Sequence, residues 1–338
     1  PHLAQTIPSL GETHVGLVIG AHLRQDHPLL ALRLRQAAKN RADIYVLSDE
    51  AEDLYMRAHQ KAVNASSWLS ELLAIEAELN NPQSDNFAGQ VARNLRNEHA
   101  SNKAIIVGNA AMNHPQAAQI LAVANRIAQS CGAVVSVAVD GANTVGAYAV
   151  GAVAQNGSLT AQQMLAQPRA VYITLNVEPA NDTANSAQAV AALKSAFVIA
   201  LNPYFSAVAD TADVILPTVP FTETGGTFVN AEGRAQTFNP VVKPLGEARP
   251  AWKVLRVLGE RLDIQSPAFS ANDVNDIRAA VAPVLAELPA RLANGSSAVA
   301  QAAQVADGWV RSTRVNPYAV DAVVRRAGSL QKTKWAQD

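Results

Sequence analysis

Short apolar runs recur along the chain, each followed by a turn, a proline and a stretch whose apolar positions fall every three or four residues. Three copies of this unit are legible. In the first, Val15–Ile19 leads to His27-Pro28, a stripe of Leu30, Leu34 and Ala37, and then Ile44–Leu47. In the second, Ala104–Val107 leads through Gly108 to His114-Pro115, a stripe of Ile120, Ala124 and Ile127, and then Val134–Val137. The third places Val171–Leu175 before Glu178-Pro179, a helix over Ser186–Lys194, and Phe197–Leu201. Proline suits the first helical turn because the N–H it lacks has no partner there, so each one reads as a helix start. Strands alternating with helices at this spacing predict a doubly wound α/β fold with mostly parallel sheets, covered on both faces. In such folds ligands bind outside the carboxyl ends of the strands, which here means the turns after Ile19, Val107 and Leu175.

Between the first two units the pattern predicts helices over Ser66–Leu79 and Phe87–Glu98, parted by a polar break at Asn80–Asp85. Further on, Thr211–Pro217 reads as an apolar strand stopped by proline. A Gly-rich turn and a hairpin follow, with arms Thr227–Asn230 and Ala235–Phe238 joined through Glu232-Gly233. After Leu262 the composition shifts to Ala, Ser, Asn and Gln, with helices expected over Asn272–Val281 and Pro317–Arg326. The expected organisation is an α/β domain over 1–99, a Rossmann-like domain with hairpin over 100–265, and a peripheral helical tail over 266–338.

Composition narrows the chemistry. With 49% hydrophobic and 16% charged residues the chain has material for a substantial core, and its net charge of −1 supplies no basic field for nucleic acid. No apolar run approaches the ~20 residues that span a bilayer, so direct membrane insertion is not expected. Cys131 is the single cysteine, which excludes an internal disulfide and a cysteine-ligated cluster. The seven histidines show no metal-ligand spacing, so no metal site is expected. Gly-x-Ser-x-Gly, Gly-Lys-Ser/Thr and Gly-x-Gly-x-x-Gly motifs do not occur, which argues against a hydrolase elbow and a free-standing nucleotide-binding module. Arg24, Arg33, Arg35, Lys39 and Arg41 form one basic cluster, a solvated helix end or a docking surface. Gly141–Gly146 is either a flexible cleft loop or a strand-to-helix connection. Pro1 in place of Met reads as a piece of a longer chain.

The most specific stretch is Ala212-Asp213-Val214-Ile215-Leu216-Pro217, followed by Glu223-Thr224-Gly225-Gly226-Thr227-Phe228-Val229-Asn230-Ala231-Glu232-Gly233-Arg234-Ala235-Gln236. It resembles the signature of the molybdopterin oxidoreductase family, which includes formate dehydrogenases, periplasmic nitrate reductases and a peripheral-arm subunit of bacterial NADH:quinone oxidoreductase (complex I). The run Val242–Arg256, the Pro28–Arg35 helix and Tyr318–Ala327 resemble the carboxy-terminal region of the complex I subunit in particular. The resemblance implies Rossmann-like domains that, in catalytic relatives, clamp a bis-pterin molybdenum or tungsten cofactor. In the complex I subunit it implies the same domains without an established metal cofactor, with iron–sulfur clusters in an amino-terminal region outside this sequence.

Pterin-binding relatives place a Gly-x-Asn-Pro or Gly-x-Asp-Pro turn after the strand, because the backbone approaches a pyrophosphate closely there. Here the turn is Leu175-Asn176-Val177-Glu178-Pro179, which lacks the glycine and adds a carboxylate. Like charges ~4 Å apart repel by ~1 kcal/mol in water and by several times that in a drier cleft. The turn at Gly20 keeps its glycine but not the Asn-Pro. A vestigial pterin cleft is therefore expected at Gly20, Gly108, Asn176, Glu178, Glu223, Gly226, Thr227, Asn230, Glu232 and Arg234, with no catalytic residue and no cofactor in this stretch. The reading is a non-catalytic structural region of the peripheral arm of complex I, contacting other arm subunits on the cytoplasmic side of the inner membrane. The rival is a fragment of a catalytic molybdenum or tungsten oxidoreductase such as a formate dehydrogenase.

Overall fold

A computed structural model describes residues 1–155, 157–299 and 316–337 of the chain. Five parallel strands form the first sheet: β1 (Val15–Ile19), β2 (Asp43–Ser48), β3 (His59–Ala62), β4 (Lys103–Val107) and β5 (Val134–Val137), in the order β3-β2-β1-β4-β5. The direction of travel reverses between β1 and β4, so helices fall on both faces. Helices α1 (Leu23–Asp26) and α2 (Pro28–Lys39) follow β1, and α2 sets Leu30, Leu34 and Ala37 against Val18, Ile44, Val46 and Ile106. On the other face α3 (Trp68–Asn80), α4 (Phe87–Arg96), α5 (Asn109–Met112) and α6 (Ala117–Cys131) supply Trp68, Leu72, Val91, Leu95, Ile120 and Ile127. These meet Leu17, Ile19, Tyr45, Leu47, Ile105 and Val107. The alternation of Leu17 and Val18 between the two cores is the two-residue period of a strand. Each of these buried aliphatic side chains stabilises the fold by about 1.5–3 kcal/mol. Gly132 ends α6 in the left-handed region, at φ +69°.

The boundary expected near residue 100 is not where the sheets divide. Val15–Ile19 pairs with Asp43–Leu47 on one side and with Lys103–Val107 on the other, so residues 15–137 share one sheet. The helical stretch 66–96 suggested a break, whereas it is the crossover that carries the chain from β3 past β1 to β4.

Short helices α7 (Thr144–Ala149) and α8 (Ala161–Ala166) lead into the second sheet of β6 (Val171–Leu175), β7 (Phe197–Asn202) and β8 (Val214–Pro217), parallel and in the order β6-β7-β8. Here the order never reverses, so right-handed connections land on one face. Leu193 of α9 (Ser186–Lys194), with Met164 and Leu165, covers Tyr172 and Val198 on that face. The opposite face leaves Val171, Ile173, Leu175, Phe197 and Val214 exposed. The expectation of helices on both faces therefore holds for the first sheet, while among the described residues the second is wound on one side.

The hairpin strands are β9 (Gly226–Val229) and β10 (Ala235–Phe238), antiparallel. Asn230 sits in the turn, where its Oδ1 accepts from the N–H groups of Glu232 and Arg234. After α10 (Ala251–Arg261), helix α11 (Val274–Arg291) begins at an Asp273–Asp276 capping box. It runs ten residues beyond the expected Val281, through Pro283 and Pro289. Val284, Leu285, Leu288 and Leu292 hold it against Val145, Ala149 and Val229. The expectation of a peripheral appendage fails for this helix, which shares a core with the hairpin. The tail described over 316–337 has short helical turns at Pro317–Val320 and Val324–Arg326.

Candidate functional site

At the reversal point of the first sheet the chain leaves β1 through Gly20, whose φ of +57° places it in the left-handed region. Gly20 N–H donates to Leu47 O and Gly108 N–H donates to Ile19 O, both at 2.8 Å. A Cβ on Gly108 would stand 2.7 Å from the Ala21 Cα, and one on Gly20 would stand 2.8 Å from Ala111 N. The two glycines read from the sequence do meet, and the closeness they permit is to this chain's own backbone. Around them the mouth is acidic. His22 is buried, with Nε2 3.4 Å from Asp49 and Nδ1 3.6 Å from Glu52 and 3.9 Å from Glu50. Burial pushes the Asp26 carboxyl up from its ordinary value, against the Asn109 hydrogen bond and the His22 charge. Burial also depresses His27 to about 4, so this helix-entry histidine is neutral at ordinary pH.

The crest of the second sheet holds Asn176 and Glu178. Asn176 takes φ +53°, donates its N–H to Leu201 O and receives the Thr218 hydroxyl at 3.2 Å. Asparagine tolerates this region because of its short polar side chain, so the missing glycine does not abolish the turn. Glu178 is buried and faces two arginines from the tail: Arg326 Nη1 lies 2.6 Å from Oε1 and Arg325 Nη1 3.0 Å from Oε2. Arg325 also reaches Asp182 at 2.5 Å, and the Arg326 guanidinium stacks 3.7 Å from the centre of the Tyr204 ring. Burial opposes ionisation of Glu178, but the Arg326 hydrogen bond and the charges of both arginines outweigh it, so its pKa lies below the ordinary carboxylate value. The tail segment 324–326 is therefore a closing element of this crest, not a peripheral one.

The hairpin residues form a third location. Glu223 accepts from Leu245 N–H at 3.0 Å, and Glu232 accepts from Ile7 N–H at 2.6 Å, tying the turn to the amino-terminal segment. Thr227 lies in β9, Gly226 packs against the Phe238 ring, and Arg234 is exposed. No hydrogen bond or ion pair joins these residues to Gly20 and Gly108 or to Asn176 and Glu178 among the described residues. A surface groove of about 540 Å³, lined by His2, Asn125, Val135 and Asn294, contains none of the ten candidates. Of Gly141–Gly146, residues 141–143 are a strand-to-helix connection and 144–146 begin α7, with Asn143 Oδ1 accepting from Val229 N–H at 2.7 Å. Among the described residues no group of His, Cys, Asp or Glu could hold a metal ion, and no helix is long and apolar enough to cross a membrane.

The family model for molybdopterin oxidoreductase matches residues 2–261. The chain belongs to the molybdopterin oxidoreductase family. Over 74 residues it is 43% identical to the mitochondrial NADH-ubiquinone oxidoreductase 78 kDa subunit of Candida albicans, covering 22% of this chain and 10% of that protein. Over 92 residues it is 34% identical to the same subunit of Neurospora crassa, covering 27% and 12%. A putative formate dehydrogenase of Staphylococcus aureus is 32% identical over 90 residues, 27% and 9% of the two lengths. The matched stretches are thus about a tenth of these relatives. Among solved structures, one of the formyltransferase/hydrolase complex of Methylorubrum extorquens with methylofuran superposes with a TM-score of 0.54 and 17% identity, over 77% of this chain and 78% of that one. That likeness bears out the mixed α/β architecture with mostly parallel sheets.

Sequence reasoning did not single out Arg325, Arg326, Asp182 or Tyr204 around Glu178, nor the ring of carboxylates around His22. The adjacent arginines of the tail were a signal, but their target lies far away in sequence. Asp49, Glu50 and Glu52 carry no such signal, because nothing local reports that a buried histidine stands opposite.

Proposed function

We propose that this chain is a scaffold region of an NADH:quinone oxidoreductase, in the peripheral arm on the cytoplasmic side of the inner membrane, holding no cofactor and contacting other arm subunits. The observation that carries this reading is the Glu178 crest. A buried carboxylate, two arginines and a tyrosine ring belonging to the chain itself occupy the turn where family members present glycine to a pyrophosphate. At the other crest Gly108 lies against the backbone of Gly20 and Ala21, and Gly20 against Trp68 and Ala111, beside an acidic mouth that repels an anion. The residues present do not fit a pterin pyrophosphate at either crest. The similarity to two mitochondrial 78 kDa subunits supports the choice of complex. Iron–sulfur clusters would lie in other parts of the parent protein.

The test is metal and pterin analysis of the protein purified under anaerobic conditions, together with an NADH oxidation assay. The expected result is no stoichiometric molybdenum, tungsten or pterin and no turnover above background. Stoichiometric cofactor would overturn the reading in favour of a catalytic oxidoreductase, the alternative that the putative formate dehydrogenase match supports.

A further inference from the structure

The loop from Asp49 to Tyr55 follows β2 at its carboxyl end and has no regular structure until β3 begins at His59. Two side chains fasten it to the turn after β1. Arg24 Nη1 donates to Asp53 O at 2.7 Å, and its guanidinium stands 4.0 Å from the centre of the Tyr55 ring. His22 is the second: its buried imidazole points one nitrogen at Asp49 and the other at Glu50 and Glu52. Within the loop, Leu54 is buried in the core that also holds Leu23. The groups facing His22 are Asp49, Glu50 and Glu52 from the loop and Asp26 from α1, all of one sign. Arg24, the nearby cation, is turned to the backbone and to Tyr55.

We propose that His22 is a proton-controlled latch that holds the 49–55 strap shut over the carboxyl ends of β1 and β2 while the imidazole is protonated, and releases it when the proton leaves. An imidazolium in this position compensates four surrounding carboxylates. Deprotonation leaves these carboxylates around a buried neutral ring, with the strap then held by Arg24, the buried Leu54 and the two Glu52–Gln60 hydrogen bonds. The histidine titrates above its ordinary value of 6.5: the Glu52 hydrogen bond raises it most, burial opposes, and the charges of Asp49, Glu52 and Asp26 add to the rise. Because the folded value is raised, the closing energy is fully present below about 6.5 and is lost as pH climbs through the folded value. Such a device gives the crevice beside the sheet's reversal point an acid-closed and an alkaline-open state. It is independent of the scaffold reading, since it needs no pterin and no partner.

Hydrogen–deuterium exchange on the full chain tests this at pH 6 and pH 9, corrected for the intrinsic dependence of exchange on pH. Peptides over 49–58 should lose protection at least about tenfold between the two, while α3 and α6 stay protected. His22→Gln should leave the strap open at both values. Should that variant not fold, Asp49→Asn with Glu52→Gln gives the second arm: with the repulsion removed, protection should no longer depend on pH. Unchanged protection of 49–58 in the wild-type chain, or a full pH response in either variant, overturns the proposal.

Discussion

Glu178 and Arg326 stand 148 positions apart in sequence and share a 2.6 Å hydrogen bond at the carboxyl end of the second sheet. The pairing joins a buried acid to a half-buried base, so the two partners are unequal. Losing Arg326 leaves the buried carboxylate to Arg325, which Asp182 also shares, whereas losing the acid leaves Arg325 to Asp182 and the half-buried Arg326 to water.

Arg326→Ala should accordingly destabilise the protein more than Glu178→Gln, by about 1–3 kcal/mol in urea unfolding. Equal losses would indicate that the pair is not buried in solution.

The same acid predicts a pH dependence. Its folded pKa lies below the ordinary 4.5, so its stabilising contribution is present above that value and is lost as pH falls through the folded one. The stability gap between wild type and Glu178→Gln should narrow only at pH values below 4.5. A gap that closed near neutrality would contradict the assignment.

His27 carries a linkage of the same sign in a higher pH window. It is depressed to about 4, so between there and 6.5 the unfolded chain binds a proton that the folded chain refuses, and stability falls as the solution is acidified. His27→Asn should flatten that part of the stability profile, removing at most about 3 kcal/mol of acid sensitivity. Calorimetry at several pH values between 4 and 7 reads this directly.

Gly108→Ala tests the close approach at the first crest. The new methyl would stand 2.7 Å from the Ala21 Cα, so backbone must move, at a cost of about 1–3 kcal/mol in thermal unfolding. A neutral substitution would show that the strands around Gly20 and Gly108 have slack enough to admit a ligand.

Glu232→Ala should release the amino-terminal segment, since its carboxylate receives Ile7 N–H at 2.6 Å. Faster exchange at residues 3–10, with Glu232→Gln close to wild type, is the expected pattern. A hairpin acid with a catalytic duty would instead lose function in the glutamine variant too.

Units such as Val15–Ile19 and Ala104–Val107, with Leu30, Leu34, Ile120 and Ile127 between strands, were legible because period and proline placement are local signals. Which strand stands beside which was not. Pairing of Val15 with both Asp43 and Lys103 depends on a crossover that the sequence offers only as two helices and a polar break. At the candidate site, Glu178 was legible as a misplaced charge, but its neutralisation was not, since a charge pattern says nothing about distant partners. The helix expected to end at Val281 runs on through Pro283 and Pro289 to Arg291, held by tertiary packing that no local pattern reports.

The separation of Glu178 from its arginines also has a temporal side. On a ribosome adding roughly 5–20 residues each second, the strands of the second sheet emerge some ten seconds before residues 325 and 326. In that interval the acid has no counter-ion, and a protonated or solvated, loosely closed sheet is the stable form. Final closure of this half of the molecule is therefore a late event in biogenesis, timed by the arrival of two basic residues.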